Sequence, residues 1–367
     1  MKLAYKITLA VFGLLGIGML YLGFILSDTD DCPTSPVAIS GSEKMKAVVY
    51  RCYGSPAVLE YTDIEKPVAG DNELLVKVHS ASVNPLDWHY MRGTPYLMRF
   101  MTGLGAPEIT RLGVDFSGTV VAVGKDVSKF KPGDEVFGGA TGAYAEYLTI
   151  AEDSAVVKKP SNISFQQSSS VGIAGVTALQ ALRDLGDIKP GQKVLINGAS
   201  GGVGTFAVQI AKSFGAHVTG VCSTRNLEMV RSIGADHVID YKKLDYTQIG
   251  EEYDLIIDMV GNHSLLSNKA VLSAEGKMVI VGAPKGDWIA PLVSPIGAML
   301  LSSIFDQKFE MIMASLRQDD LQTLSDLMNK GKLTPVLDKS FSLSELDGAI
   351  RYSEKGHAKG KIIVDVI

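Results

Sequence analysis

The chain has 367 residues, 46% hydrophobic and 20% charged, enough to bury a sizeable core and long for a single domain. A net charge of -5 without a long basic run argues against nucleic acid as a main partner, because phosphate binding needs clustered Lys and Arg. The three cysteines, Cys32, Cys52 and Cys222, are too scattered for a disulfide framework or a C-x-x-C zinc site, and isolated thiols are expected.

The first element, Ile7 to Leu26, is uncharged, and its roughly 20 residues match the thickness of a bilayer core. Lys2 and Lys6 precede it, the acidic "SDTDDCPTSP" follows, and "LSDTDD" supplies no convincing cleavage site. An uncleaved transmembrane anchor over residues 1–30 is the expectation, with a cleaved signal peptide or an amphipathic or buried helix as alternatives. Residues 31–44 read as a linker.

From Met45 the texture changes to Val-rich runs bounded by turn residues, "MKAVVYRCYG", "ELLVKVHSASV" and "SGTVVAVG", which are strand signals. Residues 45–168 are therefore expected to be mostly β. From residue 169 to 331, apolar runs such as "KVLIN", "HVTGVC" and "DLIID" alternate with helical patterns, which implies a parallel sheet covered on both faces.

Between the first of those strands and the next helix lies "GASGGVG". The helix carries Ala207, Ile210, Ala211 and Phe214 on one face. Exposed N–H groups and the positive end of the helix dipole favour a pyrophosphate there, and small residues let its oxygens come close. Ala199, Ser200, Gly201, Gly202, Val203 and Gly204 are the candidate cradle. Ala199 stands where the usual motif has its first glycine. An NAD-selective site ends its second strand on a carboxylate, whereas this chain reads Ser223-Thr224-Arg225-Asn226. Hydroxyls and a guanidinium suit a 2′-phosphate, so NADPH is the expected cofactor through Ser223, Arg225 and Asn226.

Several motifs in order resemble the medium-chain dehydrogenase/reductase superfamily, in its zinc-independent quinone oxidoreductase branch: "SASVNPLDWHYMRG", "RLGVDFSGTVVAVG", "KPGDEVFG", the Ala199 to Gly204 loop and "HAKGKIIV". The resemblance covers Met45 to Ile367. It implies an α/β fold: a GroES-like β-rich catalytic domain, a Rossmann doubly wound parallel sheet, and a C-terminal return to the catalytic domain over residues 332–367. An N-terminal transmembrane helix would precede them. Zinc-dependent relatives carry a cysteine near the "NPLD" position and a G-H-E motif; here Asn84 and Val114 stand in the cysteine and histidine places, and the four-cysteine zinc loop is absent. No metal is expected.

Without a Lewis acid worth several kcal/mol, the acceptor must spread negative charge itself, as quinones and α,β-unsaturated carbonyls do. By resemblance Asn84 lies near the nicotinamide, either donating to the substrate oxygen or holding the loop. His89 or Tyr90 would orient the acceptor or relay a proton, with ordinary packing as the alternative, and solvent could equally deliver the proton. Gly261, Gly282 and Ala283 follow strand ends and suit nicotinamide contacts. Thr177 matches a position near the same ring, Lys361 is a candidate phosphate contact, and Asp115 reads as structural.

The expected activity is NADPH-dependent reduction of a small-molecule quinone or enone. An alcohol or carbonyl oxidoreductase of the same fold and a non-catalytic, membrane-tethered NADPH-binding module are the alternatives. Members of the family are often dimers, so a homodimer is possible by that resemblance, though no segment of this sequence proves it. The positive-inside rule would send the domain across the membrane, but NADPH supply favours a catalytic domain facing the cytoplasm, so a single-pass membrane protein in that orientation is expected.

Overall fold

The computed structural model describes residues 18, 21–29, 32, 43–282, 286, 297–299 and 301–367. The first half carries β1 (Lys44–Val49), β2 (Glu60–Glu65), β3 (Glu73–Val83), β4 (Asp115–Val123), β5 (Glu135–Gly139), β6 (Tyr147–Ala151) and β7 (Val156–Lys158). Then come β8 (Lys193–Asn197), β9 (His217–Cys222), β10 (His237–Asp240), β11 (Tyr253–Asp258), β12 (Leu272–Ile280) and β13 (Lys308–Met311), followed by β14 (Leu337–Ser342) and β15 (Lys361–Asp365).

β3 is the axis of the β-rich part, pairing antiparallel with β4, β6 and β15. Its alternate residues Leu74, Val76 and Val78 are fully buried and join Phe116, Val136 and Val364 in one core. The six middle strands form one parallel sheet in the order β10-β9-β8-β11-β12-β13. Their runs are buried almost end to end, as strands covered on both faces must be. The chain leaves β8 in one direction for β9 and in the other for β11, and open sheets bind ligands at such a switch, beyond the carboxyl ends of the strands. The helix Gly202–Ser213 covers this sheet with Phe206, Ala207, Ile210 and Ala211, all fully buried.

After the helix Gln318–Asn329 the chain returns to the β-rich sheet. β15 pairs with β3 so that Ile362 faces Val83 and Ile363 faces Ser82. One more step of that register sets Lys361 across from Asn84, and Ser82 faces Asp115 on the other side, in β4. Three remote pieces of sequence thus meet at the end of β3.

The N-terminus departs from expectation. Among the described residues no helix is long and apolar enough to cross a membrane. Most of Ile7 to Leu26 lies outside the described residues, but its C-terminal end is helical over residues 21–27 and packs on the protein: Leu26 is 1% exposed, Arg99 Nη1 donates to Asp28 O at 2.6 Å, and Thr29 bridges to Gly105. Cys32 and Cys52, expected as isolated thiols, form a disulfide that fastens the same segment to the β-rich part. The transmembrane helix, and with it the single-pass membrane localisation with a cytoplasm-facing domain, are therefore corrected. An apolar run long enough for a bilayer is also long enough to fold its end back onto a domain, and hydropathy alone does not separate the two.

Two buried carboxylates fix the geometry at the end of β3. Asp87, in the first turn of the helix Pro85–Arg92, accepts from Asn84 N at 2.8 Å, Tyr144 OH at 2.8 Å and Gly113 N at 3.1 Å. Asp115 Oδ1 accepts from Ile173 N at 2.7 Å, at the start of the helix Gly172–Gln180, and so ties the β-rich sheet to the first helix of the parallel-sheet region.

A Cβ added at Gly172 would stand 2.3 Å from Asp115 Oδ1. Gly172→Ala should therefore destabilise the fold by about 1–3 kcal/mol in urea unfolding; an unchanged midpoint would show that this junction has slack. Burial pushes the Asp87 carboxyl up to about 6, opposed by the donors Asn84 N, Tyr144 OH and Gly113 N and aided by the charge of Asp115. Between the ordinary value of about 4 and 6, the unfolded chain gives up this proton while the folded chain keeps it. Stability from this group thus falls as pH rises through that window and is level above it. The stability difference between the wild type and Asp87→Asn should be larger at pH 4 than at pH 7, by about 2 kcal/mol, in thermal unfolding across that range. A difference independent of pH would contradict the shift.

Candidate active site

β8 ends at Asn197, and the chain turns through Gly198, whose φ of 91° belongs to the left-handed region that glycine tolerates. Gly198 N and Ala199 N both donate to Val221 O, at 3.1 and 3.0 Å, so the loop is stitched to β9. Ala199 is fully buried there, and its methyl occupies space rather than opposing the turn. Gly201 is the N-cap of the helix Gly202–Ser213 and supplies no capping side chain, which leaves the first-turn N–H groups of Gly202, Val203 and Gly204 facing the crevice end of the sheet. A Cβ on Gly204 would lie 2.1 Å from Gly198 O, so only glycine lets strand, loop and helix come this close.

Ser200 Oγ accepts from Asn226 Nδ2 at 2.9 Å, while Asn226 Oδ1 is buried without a partner on a residue 3% exposed. An orphaned acceptor beside uncapped helix N–H groups fits a ligand carrying both hydroxyl donors and phosphate acceptors, as a dinucleotide does. Ser223 is buried at the end of β9. Arg225 is exposed and donates from Nη2 to His357 O at 2.6 Å. The nearby carboxylate comes from β10: Asp240 Oδ2 accepts from Thr224 Oγ1 at 2.7 Å, and Oδ1 from Lys242 N at 3.1 Å. Sequence reasoning looked only at the end of β9 and passed over it.

On the other side of the switch, Asp258 Oδ1 gathers Asn197 Nδ2 at 2.9 Å and the backbone N–H groups of Val260 and Gly261, each at 3.0 Å. Gly282 N donates to Asp258 O at 3.1 Å, and a Cβ there would meet Met259 O at 2.2 Å. Gly261 and Gly282 thus stand together at the carboxyl ends of β11 and β12, whereas Ala283 lies outside the described residues. Thr177 is buried within the helix Gly172–Gln180.

Asn84 ends β3 and caps the helix Pro85–Arg92, with Pro85 at the position where a missing N–H costs nothing. Its side chain is 3% exposed and engaged at both ends. Nδ2 donates to Asp115 Oδ2 at 2.8 Å, and Oδ1 accepts from Lys361 Nζ at 2.6 Å. Asp115 Oδ2 also accepts from Ser82 Oγ at 2.9 Å and Lys361 Nζ at 3.3 Å. Lys361 differs from its expected place at the phosphates: its stem lies against Gly202, close enough that a Cβ there would meet Cδ at 3.1 Å, but its ammonium turns to Asn84 and Asp115.

His89 Nδ1 lies 2.7 Å from Thr94 O, with its ring 3.8 Å from that of Trp88, and Tyr90 is half-buried against the β-rich core. Sequence reasoning missed Asp87 and Tyr144, which hold the Asn84 backbone; the "NPLD" aspartate was in view, but nothing local points to a tyrosine 57 positions away. Val114 offers no ligand atom, and among the described residues no three His, Cys, Asp or Glu side chains gather as a metal site.

A family model described as an alcohol dehydrogenase GroES-like domain matches residues 70–161, and one described as a zinc-binding dehydrogenase matches residues 233–364. The second match lies in the parallel-sheet and return regions, apart from Asn84 and Val114. A chloroplastic quinone oxidoreductase of Triphysaria versicolor is 36% identical over 339 residues, covering 88% of this chain and 98% of its own. A mitochondrial NAD(P)H oxidoreductase of Bos taurus is 32% identical over 360 residues, covering 89% and 90%. The solved quinone oxidoreductase of Coxiella burnetii superposes with a TM-score of 0.77 at 31% identity, covering 89% of this chain and all of that one. The chain belongs to the medium-chain dehydrogenase/reductase superfamily, in its quinone oxidoreductase-like branch.

Proposed function

We propose that the protein is an NADPH-dependent, zinc-independent reductase that delivers hydride to a quinone or an α,β-unsaturated carbonyl. The observation that carries this reading is the reach of Lys361: one side chain touches both Gly202 of the glycine loop and the Asn84 amide, so cofactor cradle and hydrogen-bond donor lie within its length. When bound, the nicotinamide supplies the hydride. The first-turn N–H groups of Gly202, Val203 and Gly204 are suited to hold the pyrophosphate, Asn226 Oδ1 to accept from a ribose hydroxyl, and Gly261 and Gly282 to flank the ring.

Asp115 takes one N–H of the Asn84 amide, and we assign the second to the acceptor oxygen. A hydrogen bond to a charged oxygen stabilises by about 1.5–3 kcal/mol, less than the several kcal/mol of a zinc ion. That suffices only where the charge spreads over a conjugated system, which favours quinones and enones over simple ketones. The proton for the reduced acceptor is assigned to His89, Tyr90 or solvent, the three sources within the chemistry of this region.

The preference for NADPH over NADH rests on Ser223 and Arg225 at the end of β9, with the β10 carboxylate Asp240 already occupied by Thr224 and Lys242 N. Arg225 must exchange His357 O for a 2′-phosphate, a gain in charge pairing at an exposed site.

Multiple-turnover NADPH oxidation should proceed with quinones and enones and be negligible with simple ketones and alcohols. Turnover only with alcohols or simple carbonyls would favour the alcohol or carbonyl oxidoreductase alternative, and stoichiometric binding without turnover a non-catalytic module. Arg225→Ala should weaken NADPH binding by roughly 1.5–3 kcal/mol while sparing NADH; equal losses would remove the 2′-phosphate role. Chelator should leave activity unchanged, and a tightly bound zinc lost together with activity would overturn the metal-free mechanism.

A further inference from the structure

A primary amide is ambiguous on its own, because its oxygen and nitrogen ends have nearly the same shape and neighbours decide which way it faces. At Asn84 they leave no choice. Lys361 Nζ only donates and lies 2.6 Å from Oδ1, whereas the Asp115 carboxylate only accepts and lies 2.8 Å from Nδ2. A flipped amide would set N–H against an ammonium and C=O against a carboxylate. All three residues are 3% exposed or less, where such clashes are weakly screened.

The two flanking groups are themselves held. Asp115 is fixed by Ser82 Oγ and Ile173 N. Lys361 is fixed by its backbone N–H, which donates to Val336 O at 2.9 Å, and by its stem against Gly202. The neighbouring Gly360 N donates to Ser200 O at 2.9 Å, so the strand that delivers Lys361 is itself docked on the glycine loop.

We infer that Lys361 and Asp115 are positioning residues that lock the Asn84 amide with its second Nδ2–H presented to the acceptor oxygen, and that Lys361 does so from the glycine loop rather than by holding a phosphate. This rests on the reading of Asn84 as the donor to the acceptor. The lysine acts through the asparagine, so its effect exists only while the amide is there to be oriented.

A double-mutant cycle on the full-length enzyme tests this, with kcat and KM for a quinone and the Kd for NADPH read from nicotinamide fluorescence. Asn84→Ala tests the underlying reading alone: kcat should fall about 100-fold, the scale for losing one preorganised donor, and an unchanged kcat would end the donor role whatever Lys361 does. Given that fall, Lys361→Met should lower kcat about tenfold or more, with the Kd for NADPH within about threefold of wild type, and should cost nothing further in the Asn84→Ala background. Lys361→Arg, which keeps a donor-only head, should restore most of kcat. Additive losses in the double variant would overturn the inference, as would a Lys361→Met enzyme of normal kcat with weakened NADPH binding. Should Lys361→Met not fold, Lys361→Gln fills the space with an amide that can meet Asn84 either way round, and the same non-additivity with Asn84→Ala is expected; additivity there overturns the inference equally.

Discussion

The Asp115 carboxylate is fully buried and accepts hydrogen bonds from Ser82 Oγ in β3, Asn84 Nδ2 at the helix cap, Ile173 N at the start of the helix Gly172–Gln180 and Lys361 Nζ in β15. A buried charge is stable only when its partners are in place, and breaking such a pair typically costs about 3–5 kcal/mol. The two sheets and the returning strand therefore cannot shift independently at this point. The junction between the β-rich part and the parallel sheet is set by this charge as much as by apolar packing, and the candidate donor Asn84 is one of its ligands.

That arrangement fits the chemistry proposed. In that proposal the glycine loop offers backbone N–H groups to phosphates, the ends of β11 and β12 offer glycines to a flat ring, and the Asn84 amide, joined to the loop through Lys361, offers a single neutral donor. Neutral donors suit an acceptor that disperses charge on its own. Asp87 and Tyr144 add a second layer by pinning the Asn84 backbone, while Asp115 and Lys361 pin its side chain.

The parallel sheet was legible in sequence because its signals are local: continuous apolar strands, a glycine loop at a strand end, a helix with its apolar stripe. The quinone oxidoreductase-like family was legible from several motifs in one order. Lys361 was not, because its direction follows from the register of β15 on β3, and it meets a residue 277 positions away. Asn84 carried two open readings, loop holding or substrate contact. The geometry uses its backbone, its Oδ1 and one N–H for the first, and the second is the reading proposed above. At the N-terminus, hydropathy could not register the burial of Leu26, the Arg99 contact to Asp28 or the pairing of Cys32 with Cys52, all of which depend on tertiary neighbours.

The most direct test of the account is a crystal structure of the enzyme with NADP and an unreactive quinone analogue. The account predicts the analogue's oxygen within hydrogen-bond distance of Asn84 Nδ2, with Asn84 Oδ1 still on Lys361 Nζ and the pyrophosphate on the first turn of the helix Gly202–Ser213. An analogue oxygen held elsewhere, or Lys361 swung onto a phosphate with the amide reversed, would contradict it.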